Sequence, residues 1–347
     1  MKVVIRVDSS TQVGSGHLMR CLTLAGQIMR EHRAEVHFIC RELSGNLSHL
    51  VQKSGFGLHL LPRHEDASGL FGYAAWLTVP QEVDAEETKA VLESLEQVDC
   101  LVVDSYALDI LWESRMRPFA KEIFVIDDLA NRKHDCDVLL DQNFYLDKEK
   151  RYNGLVPEYC RLLLGPAHVL LREEFHEVGR KRRKHTGELR SLLIFYGGSD
   201  LTNETCKAIR AVLALHLLEV RVHVVVGATN PHKRDVEALC RLHGFFRYHE
   251  QVDNMAELMN MADLMLGAGG TTTWERCFLG LPSLVTAIAD NQVQICQNCH
   301  AAGLIEYLGF HDLVREQDIS EGIMGMTVAK RKQMADLCLR IFGEGEE

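Results

Sequence analysis

The sequence predicts an α/β protein with two doubly wound domains. Short apolar runs rich in Val, Ile and Leu alternate with segments of helical periodicity, which is typical of parallel strands joined by helices. Glycine turns follow several of these runs, where such folds place their ligands. The chain has 347 residues, more than one ordinary hydrophobic core accommodates. Together these observations indicate two Rossmann-like domains that face each other across a cleft.

The chain opens with a strand, a glycine turn and a helix. Residues 3–7 form a β-branched run, Gly14 and Gly16 form the turn, and residues 18–30 have helical periodicity. This arrangement offers backbone N–H groups to an anion. No third glycine follows three residues after Gly16, so the dinucleotide-binding fingerprint is absent. His17 stands at the helix entrance, and an imidazole exchanges a proton near neutral pH.

Three predicted strands of the first half have an aspartate at their carboxyl ends, namely Asp104, Asp127 and Asp141. Those ends meet at the edge of the sheet where open α/β folds bind ligands, so a ligand site is one interpretation. Helix capping by Asp is the other, and both stay open. The other predicted elements of this half are strands at 36–40, 57–61, 100–104, 123–126, 138–140 and 161–164 and a helix at 82–95.

The same alternation resumes after a charged segment that is poor in apolar residues, 171–189. We place the domain boundary in this segment, with one domain over residues 1–175 and the other over residues 176–347. The predicted elements of the second half are strands at 191–196, 222–226, 245–248 and 264–266 and a helix at 204–217.

Composition limits the partners. The net charge of −11 argues against a nucleic-acid partner, because phosphate contacts need clustered Lys and Arg. The basic run 180–184 is interpreted as a solvated linker, with contact to an acidic or membrane surface as the alternative. We expect no signal peptide and no membrane span. Eleven cysteines, mostly in apolar segments, favour a reducing, cytoplasmic location.

The most specific stretch of the second half is Gly267-Ala268-Gly269-Gly270-Thr271 with the helix that follows it. Glycines after a strand, followed by threonine hydroxyls and helix N–H groups, can hold a diphosphate without a metal. Glu275 lies one helical turn after Thr271, where its carboxylate can accept two ribose hydroxyls. A first-turn Glu is also favourable against the helix macrodipole alone, and both interpretations stay open.

The block from Gly267 through Asn291 and Gln292 resembles the nucleotide-sugar site of GT-B glycosyltransferases. The N-terminal block consists of Arg6-x-Asp8 followed by Gly14-x-Gly16-His17-x-x-Arg20-Cys21-x-x-Leu24-Ala25. This block narrows the resemblance to the UDP-sugar hydrolases of pseudaminic acid biosynthesis and their spore-coat polysaccharide relatives. Supporting marks are Asp104-Ser105-Tyr106, Asp127-Asp128-Leu129-Ala130-Asn131-Arg132, Cys136-Asp137, Asp141-Gln142-Asn143 and Tyr196-Gly197-Gly198-Ser199-Asp200. Residues 62–80, 171–190 and the tail after about 311 match no motif.

The resemblance implies a GT-B-like fold and a metal-independent hydrolase that releases UDP from a UDP-activated 2,4-diacetamido-2,4,6-trideoxy hexose, with inversion. His17 is then the general base that activates water, oriented by Asp104 or Asp8. The resemblance implies that the diphosphate is contacted by Gly198, Ser199, Gly270 and Thr271. It also implies that Tyr106 and Asn291 contact the diphosphate or the sugar, and that Glu275 contacts the ribose. Gly14, Gly16, Asp104 and Gln292 complete the predicted substrate-binding set. No metal and no cofactor are expected.

Two other functions fit the same residues. A GT-B glycosyltransferase transfers the sugar to an acceptor hydroxyl in place of water, and fold analogy alone does not separate the two. A nucleotide-sugar binding or scaffold protein keeps the sites without turnover. The sequence Cys296-Gln297-Asn298-Cys299-His300 matches a c-type haem attachment motif but is interpreted as part of an amphipathic helix, since no secretion signal accompanies it. The oligomeric state is not predicted.

Overall fold

The computed structural model describes residues 1–64, 69–184, 186–217 and 219–342. The chain forms two compact units. The first comprises residues 1–143 and 147–170, and the second comprises residues 144–146 and the chain from Leu171 onward. Each unit contains one parallel sheet with helical crossovers, as the alternating pattern predicts.

The first unit contains a seven-stranded parallel sheet. Its strands are β1 (Lys2–Val7), β2 (Glu35–Arg41), β3 (Gly57–Leu61), β4 (Val98–Asp104), β5 (Ala120–Ile126), β6 (Val138–Asp141) and β7 (Arg161–Leu164). Its α-helices are α1 (Gly16–His32), α2 (His49–Lys53), α3 (Gln81–Ser94) and α4 (Ile110–Met116), and a 3₁₀ helix covers Gly72–Leu77. The strand order β3-β2-β1-β4-β5-β6-β7 reverses direction between β1 and β4. Doubly wound folds bind ligands at this switch point.

Both faces of the first sheet are buried. Ile5 of β1 packs with Leu18 of α1 on one face, and Val4 packs with Trp112 of α4 on the other. Successive side chains of a strand point to opposite faces, so an unbroken apolar run fills two cores. This packing holds the beginning of α1 beside the carboxyl end of β1.

The second unit contains a six-stranded parallel sheet. Its strands are β8 (Ser191–Phe195), β9 (Arg221–Val226), β10 (Phe246–Glu250), β11 (Leu264–Ala268), β12 (Ser283–Ala287) and β13 (Glu306–Phe310). Its helices are α5 (Glu173–Gly179), α6 (Glu204–Ala214), α7 (Lys233–Arg241), α8 (Met255–Met261), α9 (Thr272–Phe278), α10 (Asp290–Ala301), α11 (Glu316–Gly325) and α12 (Val328–Phe342). The order β10-β9-β8-β11-β12-β13 places β8 beside β11, so the loops that follow these two strands are neighbours.

Every predicted strand is present, but the charged segment 171–189 is not simply a linker. It contains α5, whose Phe175 is fully buried. The basic run 180–184 is also anchored, because Arg183 pairs with Asp263 at 2.6 Å and Arg182 donates to the carbonyl of Phe278 at 3.3 Å. Four of its five residues (all but Arg182) are nevertheless exposed, so the run is solvated as expected, but it lies within the second unit and not between the two units. Within the ranges described above, no helix is both long enough and apolar enough to cross a membrane.

Candidate active site

The turn from Gly14 to Gly16 sets the start of α1. Gly14 has a φ of +79°, in the left-handed region that glycine adopts without a Cβ clash. Its N–H donates to the carbonyl of Ser10 at 2.9 Å, which closes the loop after β1. The helix then begins at Gly16. His17 consequently lies in the first helical turn, with 8% of its surface exposed.

A buried carboxylate fixes the His17 ring. The Nδ1 atom lies 2.6 Å from Oδ1 of Asp104, the last residue of β4. Burial alone would raise the pKa of Asp104, but the charges and hydrogen bonds of Arg20 and His17 hold it well below its usual range. An ionised Asp104 only accepts hydrogen bonds, so Nδ1 carries the proton and donates it. The Nε2 atom is then the basic nitrogen of the ring.

Arg20 completes a polar network around Asp104. It lies three residues after His17 on the same face of α1, and its Nε and Nη2 atoms donate to the two Asp104 oxygens at 2.6 Å each. Its Nη1 atom donates to Asp128 at 3.0 Å. The hydroxyl of Tyr106 donates to the other Asp128 oxygen at 2.5 Å. The network thus holds both His17 and Tyr106 in fixed orientations.

Aromatic rings and a small pocket surround the imidazole. The rings of Tyr106 and Trp76 lie edge-on to His17, with centroid distances of 4.6 Å and 6.1 Å. A pocket of about 10 Å³ is lined by Asp8, Val13, His17, Trp76, Asp104 and Ser105. This volume is about what one water molecule requires. An imidazole, a carboxylate hydrogen-bonded to it and space for a water therefore lie together.

Asp8 lines this pocket, but among the described residues no hydrogen bond joins it to the imidazole. Its Oδ1 atom accepts from Nη1 of Arg6 and from the backbone N–H of Arg41, both at 2.6 Å. Of the two acids that the sequence left open, Asp104 is the one hydrogen-bonded to His17.

Ion pairs, rather than helix caps, account for the aspartates at the ends of β5 and β6. Asp127 pairs with Arg132 at 2.6 Å, and Asp141 pairs with Arg151 at 3.2 Å. The hydroxyl of Tyr152 lies 3.1 Å from an oxygen of each aspartate. Burial raises the pKa of Asp141 to about 7.

In the second unit, the loop after β8 carries Gly198 and Ser199, and both are exposed. The residue that follows them anchors the loop. Asp200 is buried and accepts from the N–H groups of Glu204 and Thr205 at 2.9 Å each, at the start of α6. Asp200 is therefore occupied by the first two N–H groups of α6, although the N-cap residue of this helix is Asn203.

The loop after β11 packs tightly against α10. A Cβ on Gly269 would lie 2.3 Å from Sγ of Cys296, so only glycine fits there. A Cβ on Gly270 would lie 3.7 Å from Nε2 of Gln292, which brings two predicted site residues together. The carbonyls of Gly270 and Thr271 accept the first backbone bonds of α9, at 2.9 Å and 3.0 Å. The N–H groups of Gly270 and Thr271 lie before the first turn of α9 and therefore have no hydrogen-bond acceptor within that helix.

Glu275 is held by an arginine that the sequence did not single out. Its Oε1 atom accepts from Nε and Nη2 of Arg172 at 3.0 Å and 2.9 Å, and Arg172 also contacts Glu174 at 2.5 Å. Burial raises the pKa of Glu275, and the charge of Arg172 opposes that effect. Asn291 is exposed in the first turn of α10. Among the described residues, no hydrogen bond joins Asn291 to another predicted site residue.

In the part of the chain that the structure describes, no three His, Cys, Asp or Glu side chains are grouped to hold a metal ion. Cys296 and Cys299 are buried in α10, and burial raises the pKa of Cys296 to about 12. These thiols belong to the core, as the interpretation of this segment as an amphipathic helix predicts.

Sequence reasoning assigned no role to Arg20, Trp76 and Arg172. The spacing from His17 was the available signal for Arg20, because residues three apart share a helix face. Trp76 and Arg172 lie in segments without a motif, 62–80 and 171–190. Their contacts depend on how distant parts of the chain pack.

Several known proteins are similar to this chain in sequence. A model of the glycosyltransferase family 28 C-terminal domain matches residues 192–322. A UDP-2,4-diacetamido-2,4,6-trideoxy-beta-L-altropyranose hydrolase of Campylobacter jejuni is 26% identical over 77% of this chain and 84% of its own length. An uncharacterized protein of Methanocaldococcus jannaschii is 24% identical over 85% of this chain, which spans 57% of that relative. The Bacillus subtilis spore coat polysaccharide biosynthesis protein SpsG is 26% identical over 46% of this chain and 47% of its own length.

Two solved structures cover almost the whole chain. MurG of Acinetobacter baumannii has a TM-score of 0.65 at 12% identity, over 98% of this chain and 95% of that chain. A UDP-GlcNAc 2-epimerase of Neisseria meningitidis bound to UDP-GlcNAc has a TM-score of 0.60 at 12% identity, over 96% and 94%. At these identities the likeness shows the fold. The chain has the two-domain, Rossmann-like GT-B fold, and its sequence resembles the UDP-sugar hydrolases of pseudaminic acid biosynthesis and their spore-coat relatives.

Proposed function

We propose that the protein is a metal-independent hydrolase that releases UDP from a UDP-activated 2,4-diacetamido-2,4,6-trideoxy hexose, in pseudaminic acid biosynthesis. The observation that carries this proposal is the hydrogen bond of 2.6 Å between His17 and the buried Asp104, beside a pocket about the size of one water. The substrate class comes from the sequence relative in Campylobacter jejuni.

In the proposed reaction, His17 acts as the general base. Its Nε2 atom takes a proton from water while the water oxygen bonds to the anomeric carbon. The bond between that carbon and the β-phosphate oxygen of UDP breaks, and its electron pair leaves on UDP, with inversion at the carbon. Asp104 stabilises the imidazolium that forms, as the acid of a catalytic triad does. General-base catalysis of this kind contributes about 10²–10⁴-fold.

The second unit holds the nucleotide in this proposal. Gly198 and Ser199 on one loop, and Gly270 and Thr271 on the next, present backbone and hydroxyl donors to the diphosphate as it leaves. Glu275 accepts two ribose hydroxyls. Its charged form is favoured by the pair with Arg172 at 2.9 Å, and a charged acceptor makes the stronger hydrogen bond.

The remaining predicted residues border these groups. Gln292 lies beside Gly270, and we assign it and Asn291 to the diphosphate or the sugar. Tyr106, held by Asp128 next to the imidazole, is assigned to the sugar side. Gly14 and Gly16 shape the turn that carries His17 and leave space for the substrate.

A glycosyltransferase is the second candidate. The match of residues 192–322 to the family 28 C-terminal domain favours it. The same donor would then react with an acceptor hydroxyl in place of water, which the fold does not decide.

We also propose a cytoplasmic location. All eleven cysteines are free thiols, nine of them among the buried residues of the core. Disulfides are rare in reducing compartments, where thiols of this kind persist.

A panel of UDP-activated amino sugars, incubated with the protein and no acceptor, tests the function. We expect UDP release from a diacetamido-trideoxy sugar, and heavy oxygen from labelled water on the sugar product. Heavy oxygen on UDP would contradict attack at the anomeric carbon. UDP release that requires an added acceptor would favour the glycosyltransferase, and UDP binding without any turnover would favour a binding protein.

A further inference from the structure

Arg276 of α9 is a fully buried arginine without a carboxylate partner within 4 Å in the described part of the chain. Its Nη1 atom donates to the carbonyl of Ala268 at 3.0 Å, and its Nη2 atom donates to Oγ1 of Thr273 at 2.7 Å. Its Nε atom is buried and has no hydrogen-bond partner among the described residues. A guanidinium keeps its charge in proteins, so the fold carries a buried cation that neutral acceptors only partly satisfy.

The groups around Arg276 do not fully neutralise it. Burial lowers the pKa of Arg276, and the groups that most oppose this are thiols, among them Cys296 and Cys299. Burial raises the pKa of both thiols, so they stay protonated near neutral pH. The adjacent Glu275 is stabilised in its charged form by Arg276 as well, but its hydrogen-bonded ion pair is with Arg172, so it neutralises Arg276 only in part. A buried charge left in this state is costly unless an anion approaches it.

The position of Arg276 suggests which anion that is. Ala268 is the last residue of β11 and Thr273 belongs to the first turn of α9, so the guanidinium joins the two ends of the loop Gly269–Thr271. A Cβ on Gly267 would lie 3.4 Å from Nη1, which places the guanidinium directly against the end of β11. The charge therefore lies behind the loop to which we assign the diphosphate.

We propose that Arg276 is a positioning residue that acts through its charge: a cation fixed behind the Gly269–Thr271 loop that stabilises the bound nucleoside diphosphate without touching it. This inference rests on the proposed function. A charge held in a dry interior is weakly screened, and it needs no rearrangement when the ligand binds. The diphosphate adds negative charge near Arg276, where the adjacent carboxylate, Glu275, is already paired with Arg172.

Calorimetric binding of UDP and of uridine to two variants tests the proposal. Arg276→Gln keeps hydrogen-bond donors but loses the charge, and Arg276→Lys keeps the charge. We expect Arg276→Gln to lower the affinity for UDP at least about 10-fold and to leave the affinity for uridine unchanged. The Arg276→Lys variant is expected to bind UDP several-fold more tightly than the Arg276→Gln variant. The matched control is Arg331→Gln. Arg331 is a buried arginine of α12 that also bonds to carbonyls, those of Gly187 and Met326, and its loss is expected to leave UDP affinity unchanged.

The outcomes separate the inference from the function. Equal weakening of UDP and uridine, unchanged UDP affinity in Arg276→Gln, or equal losses in Arg276→Gln and Arg276→Lys would overturn the role of the charge. Absence of UDP binding in the unmodified protein would instead reject the proposed function. If neither variant folds, the Nε–H resonance of Arg276 in the unmodified protein is followed by NMR. It is expected to shift with UDP and not with uridine, and a resonance unmoved by UDP would overturn the proposal.

Discussion

The two units share one architecture but present different chemistry at the carboxyl ends of their strands. In the first unit, charged side chains neutralise each other, since Asp104 binds both His17 and Arg20 at 2.6 Å. In the second, glycine loops present backbone, and Arg276 lies behind one of them without a carboxylate partner in the described residues. A network whose charges are paired holds its side chains in fixed positions, which proton transfer requires. A buried cation whose charge is not paired attracts an anion. In the proposed reaction, the same scaffold therefore serves two roles through its loop residues.

We expect the largest effect from removing the charge of Asp104, the acid that is hydrogen-bonded to His17. Asp104→Asn is expected to lower turnover at least about 100-fold, because the amide no longer fixes Nδ1 as the donor of the His17 ring. UDP affinity, measured by calorimetry, is expected to stay unchanged. Asp99→Asn is the matched control, since Asp99 lies on the same strand and pairs with Lys121 at 2.7 Å near the surface. Near-normal turnover of Asp104→Asn would remove the distinction between the units.

Glu275→Gln is expected to act on binding instead of chemistry. Because the ribose loses a charged hydrogen-bond acceptor, the affinity for UDP should fall about 10-fold. The affinity for 2′-deoxy-UDP should fall less. Glu174→Gln is the control, because it removes the other carboxylate bound to Arg172. Equal losses for the two nucleotides would contradict a ribose contact.

The shape of the β11 loop can be tested separately from its charge. Gly269→Ala places a Cβ 2.3 Å from Sγ of Cys296, so the loop must shift, at a cost of about 1–3 kcal/mol in the free energy of unfolding. We expect UDP affinity to fall several-fold. Adding Cys296→Ala should recover part of both losses, with Cys296→Ala alone as the control. Losses that the second substitution does not reduce would show that this contact does not set the loop.

The smallest effect concerns a titration in the first unit. The pKa of Asp141 is raised by burial to about 7, so its protonated form stabilises the fold below its unfolded-state pKa, and this contribution is lost as pH rises to about 7. Between about pH 5 and about pH 8, the unmodified protein should lose about 1–3 kcal/mol more unfolding free energy than Asp141→Asn. Urea unfolding measures the difference, and parallel pH dependence of the two proteins would contradict the shifted pKa.

Local pattern predicted most of the fold. Strands such as β1 and β4 are buried apolar runs, and these are visible in sequence. β13 was not predicted because all five of its residues are half-buried, which leaves neither an apolar run nor an alternation. β12 was not predicted either, although its five residues are buried, because it lies between α9 and α10 in the block that was interpreted only by its resemblance to nucleotide-sugar sites.

The candidate site divides in the same way. His17 and Asp104 were predictable because each stands at the end of a recognisable element. The pair of Arg172 with Glu275 joins residues 103 positions apart, and Arg276 differs from other arginines only in what surrounds it. Contacts of this kind depend on tertiary packing, which neither periodicity nor motif spacing records.

His17→Asn tests the central claim most directly, through turnover and UDP affinity measured on the same preparation. The account predicts that UDP release falls at least about 100-fold while UDP affinity stays unchanged, because the base acts on water and the second unit binds the nucleotide. Near-normal UDP release, or a loss of UDP affinity as large as the loss of turnover, would contradict it.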